Sequence, residues 1–334
     1  MKVDIEFFIY NNIRKIYRVL TGYKRVCEVG NIRNDLVQYS NQEAQTFIYL
    51  QLEEAYSCKR GFMIAKFGTY ELNALILYLY NYTDYASLKT WRILKSTTGV
   101  LHLKDCIHHL HLNAGVFPET IEAAKYMAKR YYLDIGLIDI LASYQLDEQL
   151  IKSSMKKCVY VNLDGFFSPF MFNQPWTKFL ANKRVLIVHP FVDSIKEQYE
   201  NKRSILFDNP DVLPSFASVY YIKAIQSAAG HVPEGYNNWG EALSFMEKEM
   251  DRFDYEVALV GCGAYGLPLA AHAKRMGKIG IHLASMTQML FGVYGKRWQE
   301  SEPQYKKYIK DSWIRPKETE QPPLKNLVED GCYW

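Results

Sequence analysis

Short, mostly apolar runs, each followed by a loop and a helical pattern, constrain this sequence most. Four of them cover residues 62–67, 185–188, 257–260 and 279–283, and residues 213–221 hold a further strand candidate. None of the four shows the regular apolar–polar alternation of a half-exposed strand, which is typical of parallel sheets covered on both faces. The sequence therefore predicts an α/β fold with a Rossmann-like, doubly wound and mainly parallel sheet, and with helical additions in its N-terminal and middle parts.

The spacing of these runs suggests three parts along the 334 residues. We predict an N-terminal helical segment over 1–60, a Rossmann-like domain over 61–300 with a helical insertion at about 100–181, and a C-terminal tail over 301–334. Helical spacing is clearest over 34–58 and 72–80. From Arg315 the tail contains three prolines, so we expect an extended strap over the surface.

Composition and charge narrow the class of protein. The excess of 40 Lys and Arg over 36 Asp and Glu leaves a charge of +4, which is too small to require a nucleic-acid partner. It fits a local site for an anionic ligand, or a weakly basic side facing a membrane. Six cysteines without a C-x-x-C pair favour a reducing cytoplasm and disfavour a zinc site. No long apolar run or signal-like start is present, so we expect neither export nor membrane insertion.

The loops that follow the predicted strands carry the residues most suited to binding. Ligands of open parallel sheets bind beyond the carboxyl ends of the strands, so these loops should meet at one edge. The candidate binding residues in and after them are Lys66, Phe67, Gly68, Thr69, Asn73, Ser194, Gly261, Gly263, Ala264, Tyr265, Gly266, His282, Thr287, Gln288, Lys296 and Arg297.

Residues 261–266 match the pattern G-x-G-x-x-G between a strand and a helix. Such glycines let backbone N–H groups approach a pyrophosphate at a helix N-terminus. A nicotinamide enzyme also needs an acidic residue about 20 positions on for the ribose, and residues 281–285 contain none. Dinucleotide binding is therefore disfavoured, whereas binding of another diphosphate, or simple tight packing of strand and helix, stays open.

Three side chains are candidates for the chemistry itself. Glu71 begins a helix after a strand, where it is either a ligand for Mg²⁺ or Mn²⁺ bridging a diphosphate or a carboxylate that stabilises the helix start. His189 closes a buried strand, and Asp193 follows it in the next loop. Both are candidate bases for a proton transfer.

Residues 67–72, Phe-Gly-Thr-Tyr-Glu-Leu, resemble the F-G-D-G-E-L segment of the GT-D fold glycosyltransferases. Residues 185–191, 259–266, 287–292 and 295–298 are similar to later segments of GT-D-like proteins from bacterial polysaccharide loci. The likeness covers roughly residues 61–298 and is most distinctive after Arg184.

This resemblance implies a metal-dependent transfer of a sugar from a nucleoside diphosphate donor, commonly a UDP-sugar, to a hydroxyl acceptor in surface polysaccharide or glycan biosynthesis. It places Glu71 as the ligand of Mn²⁺ or Mg²⁺, while Thr69 and Tyr70 stand where the family has Asp and Gly. The implied acceptor is a glycan or a lipid-linked molecule, and the implied location is the cytoplasm, including peripheral association with the inner face of the membrane.

Two alternatives remain open from the sequence. The G-x-G-x-x-G pattern favours an NAD(P)-dependent oxidoreductase. Thr69 in place of an aspartate favours a non-catalytic, nucleotide-binding subunit of a polysaccharide assembly complex.

Overall fold

The computed structural model describes residues 36–82 and 103–334, together with the isolated positions 12, 16, 19 and 20. Most of residues 1–35 of the predicted N-terminal helical segment therefore lies outside the described residues. Among the described residues, no helix has the length and apolar character needed to cross a bilayer.

A seven-stranded sheet forms the centre of the protein, and every pair of neighbouring strands is parallel. The strands are β1 (Phe62–Ala65), β2 (Ile140–Ser143), β3 (Val159–Asn162), β4 (Arg184–His189), β5 (Ser218–Lys223), β6 (Val257–Val260) and β7 (Ile279–His282). Their order across the sheet is β3-β2-β1-β7-β6-β4-β5. The predicted fold class is confirmed.

Ten α-helices of the described residues precede, connect and follow these strands. They are α1 (Asn41–Ser57), α2 (Thr69–Tyr82), α3 (Leu103–His109), α4 (Ile121–Asp134), α5 (Asp164–Phe167), α6 (Val192–Leu206), α7 (Trp239–Met250), α8 (Gly266–Arg275), α9 (Met286–Leu290) and α10 (Lys296–Glu300). Local signals set several of the ends. The Thr120 side chain accepts a hydrogen bond from the Ala123 N–H and caps the N-terminus of α4. The Asn238 side chain likewise accepts one from the Glu241 N–H and caps α7.

Alternate strand residues pack on opposite faces of the sheet. Met63 and Ala65 belong to an apolar cluster with α2, α4, α7 and α8, whereas Phe62 and Ile64 belong to a second cluster with α1, α6 and α9. Because both faces of the sheet are covered, consecutive strand residues are buried whichever face they point to. This explains why the strands read as continuous apolar runs.

The predicted helical insertion at 100–181 contains two strands that the sequence prediction missed. Both β2 and β3 extend the sheet on the side of β1 opposite β7, with Ile140 beside Ile64 and Val159 beside Ile140. Each has only four residues, and such short runs cannot be distinguished from a buried turn of helix by periodicity alone.

The C-terminal tail forms short 3-10 turns at Glu318–Glu320, Lys325–Leu327 and Glu329–Gly331, where an extended strap was expected. Its last residue, Trp334, is 8% exposed and packs against Phe191, which follows β4. The tail therefore reaches the edge of the sheet where the strands end.

Candidate functional site

The carboxyl ends of β1, β7, β6 and β4 lie side by side, because these four strands are parallel neighbours in the sheet. We call this side of the sheet the carboxyl edge. The four predicted loops meet here, after Ala65, His282, Val260 and His189. This is the position at which open parallel sheets bind their ligands.

A lysine, three glutamates and a histidine gather at the β1 side of the carboxyl edge. Burial is the main influence on the pKa of Glu71, Glu148, Glu302 and His282, and the charge of Lys66 acts on the pKa of each of them as well. The five side chains therefore share one electrostatic environment. We call them the Lys66 cluster.

Glu71 lies in the first turn of α2 and is 8% exposed. Its carboxylate folds back so closely over Gly68 that a Cβ at that position would collide with it. Burial raises the pKa of Glu71, while its own backbone N–H and the Lys66 ammonium oppose that rise. In this arrangement, the Glu71 carboxylate fills the space that a side chain at position 68 would occupy.

Glu148 was missed by the sequence prediction, because it follows the unrecognised strand β2. It is completely buried and accepts hydrogen bonds from the Ser143 hydroxyl and, at 3.5 and 3.4 Å, from the N–H groups of Tyr144 and Gln145. Burial raises the pKa of Glu148 to about 8, so its protonated form prevails at neutral pH. The run Ile-Leu-Ala-Ser of β2 is the signal that could have located it.

Two aromatic rings flank the Lys66 ammonium, which lies 5.3 Å from the ring centre of Tyr144 and 5.5 Å from that of Phe167. The loop after β2 is tied to the loop after β1, since the Tyr144 hydroxyl and the Gln145 amide both donate to the Phe67 carbonyl. These contacts hold the β1 loop, and with it Lys66, in a defined position.

The C-terminal part of the chain forms another side of the cluster. Arg297 donates to Glu302 at 3.0 Å, lies 3.6 Å from Glu329, and donates to the Tyr333 hydroxyl at 3.0 Å. The charges of Glu329 and Arg297 also act on the pKa of Tyr70, beside Glu71. No sequence signal linked Glu302, Glu329 or Tyr333 to the β1 loop, because only folding brings the tail there.

Packing explains the glycines of the predicted phosphate-binding loop. Gly263 has a φ of +56°, and a Cβ there would lie 2.8 Å from the Ala114 carbonyl oxygen. A Cβ at Gly266 would collide with the His282 ring, and one at Gly261 with the Ala284 carbonyl. The loop is thus shaped by its neighbours in the protein, although Gly263 itself is exposed.

Other residues of this loop point into the core. Ala264 is fully buried, and its carbonyl accepts a hydrogen bond from Tyr131. Tyr265 is 1% exposed, stacks on Trp239 with ring centres 5.2 Å apart, and its hydroxyl contacts Ser227. In this structure, the Tyr265 ring is thus not presented for stacking on a ligand.

Both candidate histidines are buried. Burial lowers the pKa of His189 to about 3, and its Nδ1 accepts a hydrogen bond from the Phe191 N–H at 3.0 Å. Burial, reinforced by Lys66, lowers the pKa of His282 to about 3 as well. Both rings are therefore neutral near pH 7 and weak as bases.

Asp193 and Ser194 lie at the start of α6, away from the Lys66 cluster. Three strand spacings, about 14 Å, separate β1 from β4, which precedes them. Asp193 is exposed and pairs with Lys223 at 3.2 Å. Ser194 is buried, and its hydroxyl and N–H both bond to the Glu320 carboxylate of the tail. The structure thus separates these two predicted residues from Glu71.

The remaining predicted residues differ in accessibility. Thr69 is exposed and Lys296 half-exposed, whereas Phe67, Asn73, Thr287 and Gln288 are buried. The Lys296 ammonium lies 3.7 Å from Glu300, and Gln288 donates to the Tyr333 carbonyl. Within the described part of the chain, the buried Thr287 hydroxyl has no hydrogen-bond partner.

The residues around Glu71 do not fit a divalent cation. Mg²⁺ and Mn²⁺ take oxygen ligands, with one or two carboxylates beside a substrate phosphate. Here Glu71 is buried, Thr69 supplies no carboxylate, and the Lys66 ammonium lies nearby. Across residues 36–82 and 103–334, no three His, Cys, Asp or Glu side chains are grouped as metal ligands. We therefore assign no step of a reaction to a metal.

Comparisons with known proteins found no matching family model, no matching curated protein and no matching solved structure. A functional proposal for this chain therefore rests on its own residues and geometry.

Proposed function

We propose that the protein is a glycosyltransferase that moves a sugar from a nucleoside diphosphate donor, such as a UDP-sugar, to a hydroxyl of a glycan or lipid-linked acceptor. The observation that supports this most is the Lys66 cluster at the carboxyl edge. It combines a cation suited to a diphosphate with a carboxylate, Glu71, suited to a hydroxyl proton. The similarity of residues 67–72 to the GT-D segment supports the same reaction class.

In the proposed reaction, the bond between the sugar C1 and the diphosphate oxygen breaks, and the diphosphate leaves with the electron pair. A bond forms between C1 and the acceptor oxygen. The acceptor proton passes to the Glu71 carboxylate, which lies in the first turn of α2, directly after the loop that carries Lys66. The neutral His189 and the distant Asp193 are less suited to this role.

The test is release of UDP from a panel of UDP-sugars, with water or a glycan as the acceptor. We expect Glu71→Gln to lower turnover by about 100-fold or more, since a positioned general base typically contributes this much. Glu43→Gln is the matched control, because Glu43 is likewise an acid in the first turn of a helix, but it is exposed on α1. Equal turnover in the two variants would remove Glu71 from its proposed role.

A second candidate function is nucleotide binding without catalysis. The replacement of the family's aspartate by Thr69 favours it. This function predicts that UDP raises the melting temperature while no donor turns over with any acceptor. In the same experiment, stabilisation by NAD(P) and not by UDP would instead favour an oxidoreductase.

A further inference from the structure

Lys66 carries a positive charge that no acid pairs with in the described part of the chain. The side chain is half-buried between the rings of Tyr144 and Phe167. Within the described part of the chain, its ammonium makes no hydrogen bond and has no carboxylate within ion-pair distance. Burying an unpaired ammonium costs free energy, and a bound anion would offset that cost.

The acids of the Lys66 cluster do not neutralise it. Burial raises the pKa of Glu148 to about 8, so this acid is mostly protonated near pH 7. Glu302 already pairs with Arg297 at 3.0 Å. Within the described part of the chain, Glu71 is then the one acid of the cluster left to oppose an anionic group placed beside Lys66.

The same surroundings oppose a divalent cation. Glu71 has no second carboxylate at position 69, where this chain has threonine, and a metal ion bound by Glu71 would be repelled by the ammonium. The positive charge that stabilises a leaving diphosphate must then come from a side chain of the protein.

We propose that the Lys66 ammonium takes the place of a divalent cation, binding the diphosphate of the donor and stabilising the negative charge that develops on it as the sugar departs. This inference rests on the proposed function. It predicts that donor binding and transfer do not depend on a metal.

The test is calorimetric titration of the full chain with UDP and with uridine, in EDTA and in Mn²⁺. We expect UDP to bind equally well under both conditions. Lys66→Met should weaken UDP binding by about 10- to 100-fold, because a charge-assisted hydrogen bond is lost, and should leave uridine binding unchanged.

Lys183→Met is the matched control. Lys183 is also half-buried over two rings, 4.4 Å from the centre of Tyr56 and 4.9 Å from that of Phe179, but it precedes β4 at the opposite side of the sheet. Unfolding curves of both variants verify that they are folded. Binding of UDP in Mn²⁺ but not in EDTA, or wild-type UDP affinity in Lys66→Met, would overturn this inference alone. No UDP binding under either condition would overturn the proposed function together with it.

Discussion

Ion pairing distinguishes several charged residues at one edge of the sheet from Lys66 at the other. At the amino edge, where the strands begin, three cations pair directly with acids: Lys274 lies 2.6 Å from Asp139, Arg184 3.6 Å from Glu256, and Arg60 3.6 Å from Asp139. Lys183, at the same edge, instead lies over the Tyr56 and Phe179 rings and has no ion pair in the described part of the chain. At the carboxyl edge, Lys66 has acids nearby but none within ion-pair distance in the described part of the chain.

This difference distinguishes structural charges from candidate functional ones. An ion pair links two structural elements, and both of its charges are already neutralised, so it interacts only weakly with a ligand. An unpaired, half-buried charge without an acidic partner is available to an anionic ligand. We therefore expect substitutions at the amino edge to change stability, and a substitution of Lys66 to change binding.

The largest stability effect is expected for Asp139→Ala at the amino edge. This change removes the acceptor of the Met63 N–H, at 2.8 Å, together with the Lys274 partner. We expect the free energy of unfolding to fall by about 2–3 kcal/mol, below the range for fully buried pairs because both side chains are about one fifth exposed. Urea denaturation measures it.

The control for Asp139→Ala is Asp208→Ala. Asp208 pairs with Lys310 at 2.7 Å but is 97% exposed, so its loss should cost less than about 0.5 kcal/mol. Similar losses in the two variants would contradict the structural role of the amino edge.

The next largest effect concerns Glu148 and pH. Its pKa rises from 4.5 in the unfolded chain to about 8, so over this interval the native state holds a proton that the unfolded state has lost. The free energy of unfolding should therefore fall as pH rises, by about 2 kcal/mol between roughly pH 6 and pH 8 from this group.

Glu148→Gln should remove that part of the pH dependence and make the protein more stable than wild type near pH 8. Urea denaturation at several pH values measures the change. If the free energy of unfolding of the two proteins changed with pH in the same way, Glu148 would ionise normally in the native state.

The smallest expected effect tests whether the ligand binds beside Lys66 or at the start of α6. At the start of α6, the Glu320 carboxylate already accepts hydrogen bonds from the Asp193 and Ser194 N–H groups. Glu320→Gln should cost about 1 kcal/mol of stability, since a charged cap is replaced by a neutral one. It should leave UDP affinity unchanged, and a tenfold change in affinity would instead place the ligand at α6.

Much of the fold could be predicted from the sequence, because a parallel sheet covered on both faces forces apolar runs. Strands β1, β4, β6 and β7 were located in this way, and β5 was approximated by a candidate that began five residues early. Strands β2 and β3 were missed, because four-residue runs in a helix-rich segment carry too little periodicity.

The candidate site was predicted only in part. Placing Lys66, Glu71 and His282 at one edge required only the parallel topology. The sequence could not show that Ser194 is bonded to Glu320, or that Tyr265 stacks on Trp239, because both depend on partners that are distant along the chain.

The sequence by itself determined the parallel sheet and the edge at which its polar loops emerge, since hydrophobic burial and strand direction are encoded locally. Only the tertiary structure decided which charges at that edge are paired and which are not. Ion pairing depends on distances of a few ångströms between segments such as β1, the loop after β2 and the C-terminal tail, and those distances exist only once the chain has folded.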